Sequence, residues 1–128
     1  MTSTYVSIGR NIGDEPMSAD LWRDFRADVE LAVVDTVGPI VTSAEGRGYW
    51  VGGSEDTFVV VADGTPTDST PTSLGTWGAL SALARQYGQE AIAVSVAEPT
   101  FVTGSTPARD IADEPDRAEF DRDAVQAA

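Results

Sequence analysis

The chain has 128 residues, 41% of them hydrophobic, with 21 acidic side chains against eight basic ones and a formal net charge of −13. That length fits one domain around a single core, and the apolar share argues against wholesale disorder. There is no cysteine and no histidine, which excludes disulfides, thiol catalysis, Cys/His zinc sites and a histidine general base, and so acidic a surface repels nucleic acid and anionic membrane.

All eight cations are arginines. The acidity reads as a solvated surface set by genome composition or halophily, as an acidic decoy for a nucleic-acid-binding protein, or as a docking surface for a basic partner. No apolar run approaches the roughly 20 residues that span a bilayer. "MTSTYVSIGR" lacks the basic n-region and apolar h-region of a signal peptide, so a cytoplasmic location is expected. Proton transfer would fall to carboxylates, tyrosines or water. A carboxylate site for Mg²⁺ or Ca²⁺ is the one metal chemistry the composition leaves open, and no cofactor is expected.

A first strand is expected over Thr4–Arg10, with Val6 and Ile8 on one face and Tyr5, Ser7 and Gly9 on the other. Asn11–Met17 reads as a loop. Ser18 is placed as an N-cap, with Asp20 in the first turn, where the helix dipole favours negative charge. Leu21, Trp22, Phe25, Val29, Ala32 and Val33 then recur at helical spacing to Val34, and Gly38 and Pro39 close the element. Ile40–Gly52 predicts a long second strand with a bulge or bend at "EGRG", and "GGSE" at 52–55 a hairpin turn. "DTFVVVADG" at 56–64 is β-branched and apolar on both faces, the pattern of a central strand.

"TPTDSTPTS" at 65–73 is a polar surface connection. Leu74, Trp77, Leu80, Leu83, Ala84 and Tyr87 mark the apolar face of a second helix, stopped by Gly88. "EAIAVSVAE" at 90–98 is a fourth strand, ended by Pro99. A domain over residues 1–103 is thus followed by an acidic C-terminal tail over 104–128, in which a short helix from Pro115 to Ala127 would have Phe120 as its anchor.

The order β-α-β-β-α-β is the split-βαβ, ferredoxin-like arrangement of an α+β domain: an antiparallel sheet in strand order 4-1-3-2 with both helices on one face. Ser7, Gly9, Ala91, Ala93 and Ser95 put small side chains on the other face. A cover is expected there, either a second subunit in a homo-dimer or residues 100–128.

This topology brings Arg10, Glu55, Tyr87 and Gln89 to one edge of the sheet, with Asn11, Trp50 and the helix start at Ser18 beside them. Arg10 shares the parity of Val6 and Ile8, so its guanidinium projects between sheet and helices and needs acceptors. Glu55 is the expected partner, with Gln89 supplying further hydrogen bonds. The cluster reads in three ways. It is an ion pair closing one end of the core, or an anion or nucleotide site in which Arg10 and the free N–H groups after Ser18 face a phosphate or carboxylate, or a site of acid–base catalysis by Glu55.

"GR" ending the first strand, "MSADLWRDF" opening a helix, "EGRGYW" before a glutamate and "QYGQEAIAVSV" closing the domain resemble a set of small uncharacterised bacterial and phage proteins. They share a domain of unknown function with Gly-Arg, Ser-x-x-x-Trp-x-x-Phe, Gly-x-Trp, Glu and Gly-Gln motifs. The resemblance covers residues 5–97. It implies the ferredoxin-like fold and a shared polar cluster at Arg10, Glu55 and Gln89. This chain departs from the pattern in its short "VDTVGPIV" segment and in the extra residue between Gly48 and Trp50.

Other motifs are weaker. "GTWGAL" lacks the Gly-Lys-Ser/Thr ending of a phosphate loop, Ser7, Ser54 and Ser95 have no histidine partner, and "DIADEPDRAEFDRD" lacks the spacing of a calcium loop. The expected function is a non-catalytic binding protein acting on a host or virion protein partner, with no contact to nucleic acid or membrane. The alternatives are a binder of a small anionic metabolite or nucleotide through Arg10 and Ser18, and a cofactor-free enzyme of the dimeric ferredoxin-like type.

Overall fold

The computed structural model describes residues 2–98 and Gly104. The expected tail helix and the expected cover over residues 100–128 lie outside the described residues, Gly104 excepted. The elements are β1 (Ser3–Gly9), β2 (Asn11–Ile12), β3 (Glu15–Pro16), α1 (Ala19–Thr36), β4 (Ile40–Trp50), β5 (Gly53–Asp63), α2 (Gly75–Gln86) and β6 (Ala93–Ala97). This is an α+β fold. Four strands form an antiparallel sheet in the order β4-β5-β1-β6, and β2 and β3 pair separately as a miniature hairpin.

Side chains alternate across a strand, so one face of the sheet takes every second residue. Val6 faces Val60 on one side and Val94 on the other. Val6, Ile8, Phe58, Val60 and Ala62 are buried on this face beneath Trp22, Phe25, Val29 and Val33 of α1 and Leu80 of α2. The spacing of those α1 residues keeps them on one helical stripe. Phe25 sits at the centre, edge-on to Trp22 with ring centroids 6.2 Å apart and stacked on Tyr87 at 4.7 Å. Burying a side chain of this size contributes about 1.5–3 kcal/mol. The opposite face, with Tyr5, Ser7, Val59 and Val61, is only partly buried.

β5 lies between β4 and β1, as its two-sided apolar pattern requires. Several local expectations are corrected. β1 ends at Gly9, and the expected loop over Asn11–Met17 is the β2–β3 hairpin, closed by the Met17 N–H donating to the Arg10 carbonyl at 3.0 Å. "EGRG" forms no bulge: pairing with β5 runs unbroken from Thr42 to Trp50, and the irregularity falls at Ile40–Thr42. Gly46 and Gly48 serve close packing instead, since a Cβ at either would stand 3.2–3.3 Å from the Thr57 side chain.

The β4–β5 turn is tighter than the expected four residues, because pairing continues to Trp50 and Gly53 and leaves only Val51 and Gly52 between. The fourth strand begins at Ala93, three residues later than expected. Leu74 and Trp77, expected on the buried face of the second helix, are 59% and 47% exposed. α2 is held instead at its start by the polar 65–73 connection. The Thr67 and Thr76 main chains and hydroxyls bond to each other, and both hydroxyls donate to the Thr36 carbonyl at the end of α1. That connection stitches the two helices together rather than merely crossing the surface.

Candidate functional site

At the end of β1 the alternation of side chains separates two groups of charge. Arg10 lies opposite Asp56, whose carbonyl accepts the Arg10 N–H at 2.9 Å. The Arg10 guanidinium stays on the helix side of the sheet, with Nη1 3.0 Å from Asp56 Oδ2 and Nε donating to the Met17 carbonyl at 2.8 Å. The second carboxylate oxygen of Asp56 accepts Arg47 Nη1 at 2.5 Å. The expected Arg10–Glu55 pair is therefore not formed. Glu55 stands one residue out of register, and a shift of one along a strand moves a side chain to the other face.

Glu55 shares its parity with Thr57 and Val59 and folds across β1 at Gly9. A Cβ on Gly9 would stand 2.4 Å from Glu55 Oε1, so only glycine lets the carboxylate lie there. Oε2 accepts the Asn11 N–H at 2.8 Å, and the Asn11 carbonyl in turn accepts Gln89 Nε2 at 2.8 Å. The main chain of one residue, Asn11, thus links Glu55, at the start of β5, to Gln89, in the segment after α2. Hydrogen bonds to an ionised acceptor are among the stronger ones, about 1.5–3 kcal/mol. This one fixes the direction of the carboxylate.

Asn11, Trp50, Glu55, Gly88, Gln89 and Glu90 line a cleft of about 290 Å³. Trp50 reaches it from the hairpin end, its indole resting against Gly53. A second cleft of about 270 Å³ shares Asn11 and Glu55 and adds Arg10, Asp14, Arg47 and Asp56. Glu55 therefore lines both. A larger apolar groove of about 410 Å³ runs between α2 and β6, with Glu90 its one charged wall residue among the described residues. Among the described residues no group of three or more Asp and Glu side chains is placed to hold a metal ion.

Of the residues expected at this edge, Asn11, Trp50, Glu55 and Gln89 come together, and Arg10 lies in the adjoining cleft. Ser18 does not join them: its hydroxyl accepts the Leu21 N–H at 3.2 Å as the N-cap of α1. Tyr87 is also apart. It is 7% exposed, stacked on Phe25, and its hydroxyl donates to Asp28 Oδ2 at 2.5 Å. That hydrogen bond, burial and the charges of Asp28 and Asp24 push the phenol up to about 12, so it holds its proton at neutral pH. Sequence reasoning missed Asp56, Arg47, Asp14 and Glu90. Strand parity could have found Asp56, the residue on Arg10's own face, whereas Asp14 and Glu90 carried no periodic signal.

No family model matches the chain, and no curated protein matches it. Among solved structures, the apo state of a phage SAM lyase is similar, with TM-score 0.50 and 18% identity over 75% of this chain and 78% of that chain. A phage SAM lyase in complex with S-methyl-5'-thioadenosine is similar at TM-score 0.48 and 15% identity, over 76% of this chain and 80% of that chain. At such identity the likeness is one of fold. It corrects the expected function, since the chain that shares this scaffold is an enzyme and the expectation was a non-catalytic binding protein. No helix among the described residues is long and apolar enough to cross a membrane.

Proposed function

We propose that the protein is an enzyme that cleaves S-adenosylmethionine, with Glu55 as its central catalytic carboxylate and the Asn11–Trp50–Gln89 cleft as the binding site. The observation that carries this reading is the Glu55 carboxylate, pinned by the Asn11 N–H and by the missing side chain of Gly9, beside an indole in a cleft. The fold shared with a SAM lyase supports it, and we read the β1-α1-β4-β5-α2-β6 order as ferredoxin-like.

The chemistry of the site suits that substrate. S-adenosylmethionine carries a sulfonium, an ammonium and a carboxylate, and so is a net cation. Glu55 and Glu90 present negative charge to the sulfonium, and the face of Trp50 offers cation–π attraction or a stacking surface for the purine. The net charge of −13 raises the local concentration of such a substrate. In the reaction the electron pair of a C–S bond passes to sulfur, which discharges the sulfonium to a neutral thioether. The carbon that loses this pair receives a new one from within the substrate. Either a neighbouring C–H pair becomes a double bond with its proton passing to Glu55, or the substrate's own carboxylate oxygen closes a ring. Neither route draws on histidine or cysteine, which the chain lacks.

The test is incubation of purified protein with S-adenosylmethionine, followed by chromatography and mass spectrometry. S-methyl-5'-thioadenosine should accumulate catalytically and fall at least about 100-fold in Glu55→Gln, the loss expected for a catalytic acid or base. A folded wild-type protein that releases none overturns the proposal.

A further inference from the structure

The cleft on the Arg47 side of Glu55 is built differently from the one that holds Trp50. Its walls carry both signs of charge: Arg10 and Arg47, against Asp14, Glu55 and Asp56. Two of only eight cations in a chain with 21 acidic residues meet here. They are not equivalent. Arg10 spends Nε on the Met17 carbonyl and Nη1 on Asp56, and its side chain is 24% exposed. Arg47 spends only Nη1, on the same Asp56, and is 51% exposed. Its remaining N–H groups have no protein acceptor among the described residues. Asp56, held from behind by Arg10, orients Arg47 by one edge of its guanidinium and leaves donors for a ligand. A guanidinium so placed suits a carboxylate, which it can grip with two parallel hydrogen bonds. Asp14, exposed in the same cleft, suits an ammonium.

We infer that this mixed-charge cleft is the subsite for a zwitterionic α-amino-acid head, its carboxylate on Arg47 and its ammonium on Asp14. The inference rests on the proposed function and deepens it. Because Asn11 and Glu55 line both clefts, one substrate lies across them, with the thioadenosine half beside Trp50, the amino-acid half beside Arg47, and the sulfonium between at Glu55. The arrangement makes the enzyme selective for adenosyl sulfonium compounds that carry an amino-acid head. After cleavage the two halves sit in separate clefts.

Two non-cleavable probes separate the halves. S-adenosylhomocysteine and S-methyl-5'-thioadenosine are both neutral thioethers, and only the first carries the amino-acid head. Calorimetric titration of the full chain should show Arg47→Gln weakening S-adenosylhomocysteine about tenfold or more, the loss of a charge-assisted contact, while S-methyl-5'-thioadenosine binding changes less than about twofold. Asp14→Asn should behave alike to a smaller degree. Arg10 still pairs with Asp56 in Arg47→Gln, so the fold survives, and an unchanged melting temperature checks it. S-methyl-5'-thioadenosine binding together with S-adenosylhomocysteine binding indifferent to Arg47, or equal losses for both probes, overturns the subsite alone. If neither probe binds the wild-type protein, the functional reading falls and the subsite with it.

Discussion

Replacing Gly9 by alanine tests the placement of Glu55 without touching a charge. The new Cβ would stand 2.4 Å from Oε1, 2.5 Å from Cδ and 2.6 Å from Oε2 of Glu55. Ordinary heavy-atom contacts lie near 3.5–4.0 Å, so the whole carboxylate must retreat by about 1 Å. The 2.8 Å bond from the Asn11 N–H cannot follow it. A hydrogen bond to a charged acceptor is worth about 1.5–3 kcal/mol, which corresponds to roughly a 10- to 100-fold fall in kcat if the carboxylate acts in the rate-limiting step. Gly9 is in extended strand, where an alanine backbone is unstrained, so the melting temperature should fall only by the several degrees that loss of this one bond implies and the protein should stay folded. Steady-state kinetics with S-adenosylmethionine read the effect, and the Asn11 amide proton shift reads the broken bond independently of activity. Glu55→Asp in the Gly9→Ala background, one methylene shorter, should recover part of the lost rate. Unchanged kcat and an unmoved Asn11 amide in Gly9→Ala would refute the reasoning.

Arg10→Ala should lower unfolding free energy by about 1–2 kcal/mol, measured by urea denaturation, rather than the roughly 3–5 kcal/mol of a buried pair, because the ion pair is partly exposed and Asp56 keeps Arg47. A loss above about 3 kcal/mol would show the site to be more deeply desolvated than described. The Tyr87 phenol, raised from 10.0 to about 12, binds its proton more tightly in the folded state. Its contribution is complete below pH 10 and is lost as pH rises towards about 12. Tyr87→Phe should therefore lose less stability than wild type across that window, and identical alkaline limbs in the two proteins would contradict the Asp28 hydrogen bond.

Periodicity carried much of the architecture. The apolar stripe from Trp22 to Val33 and the two-sided apolar run of β5 announce one helix and one central strand because burial acts through side-chain spacing. Glycines were harder to interpret. Gly46 and Gly48 read as a bulge and turned out to make room for Thr57, a fact set by the neighbouring strand and invisible along the chain. Leu74 and Trp77 fit a helical stripe yet stay exposed, since local spacing does not say how far a helix is pressed onto its sheet. At the site, convergence of Asn11, Trp50, Glu55 and Gln89 follows from topology, but the Arg10 partner was misassigned by one residue, the error to which strand parity is most sensitive. Tyr87 illustrates the opposite limit: the same position at the end of α2 could face the cleft or the core, and stacking on Phe25 with a bond to Asp28 decides for the core.

That the chemistry is centred on Glu55 is tested most directly by amide chemical-shift mapping with S-methyl-5'-thioadenosine. Saturating ligand should move the amides of Asn11, Gly13, Gly88, Gln89 and Ala91 and the Trp50 indole N–H, all of which belong to the cleft that Glu55 lines. The amides of Leu80, Ser81 and Ala84, which line the α2–β6 groove and not this cleft, should stay in place. Shifts concentrated in that groove, or no shifts at millimolar ligand, would contradict the account.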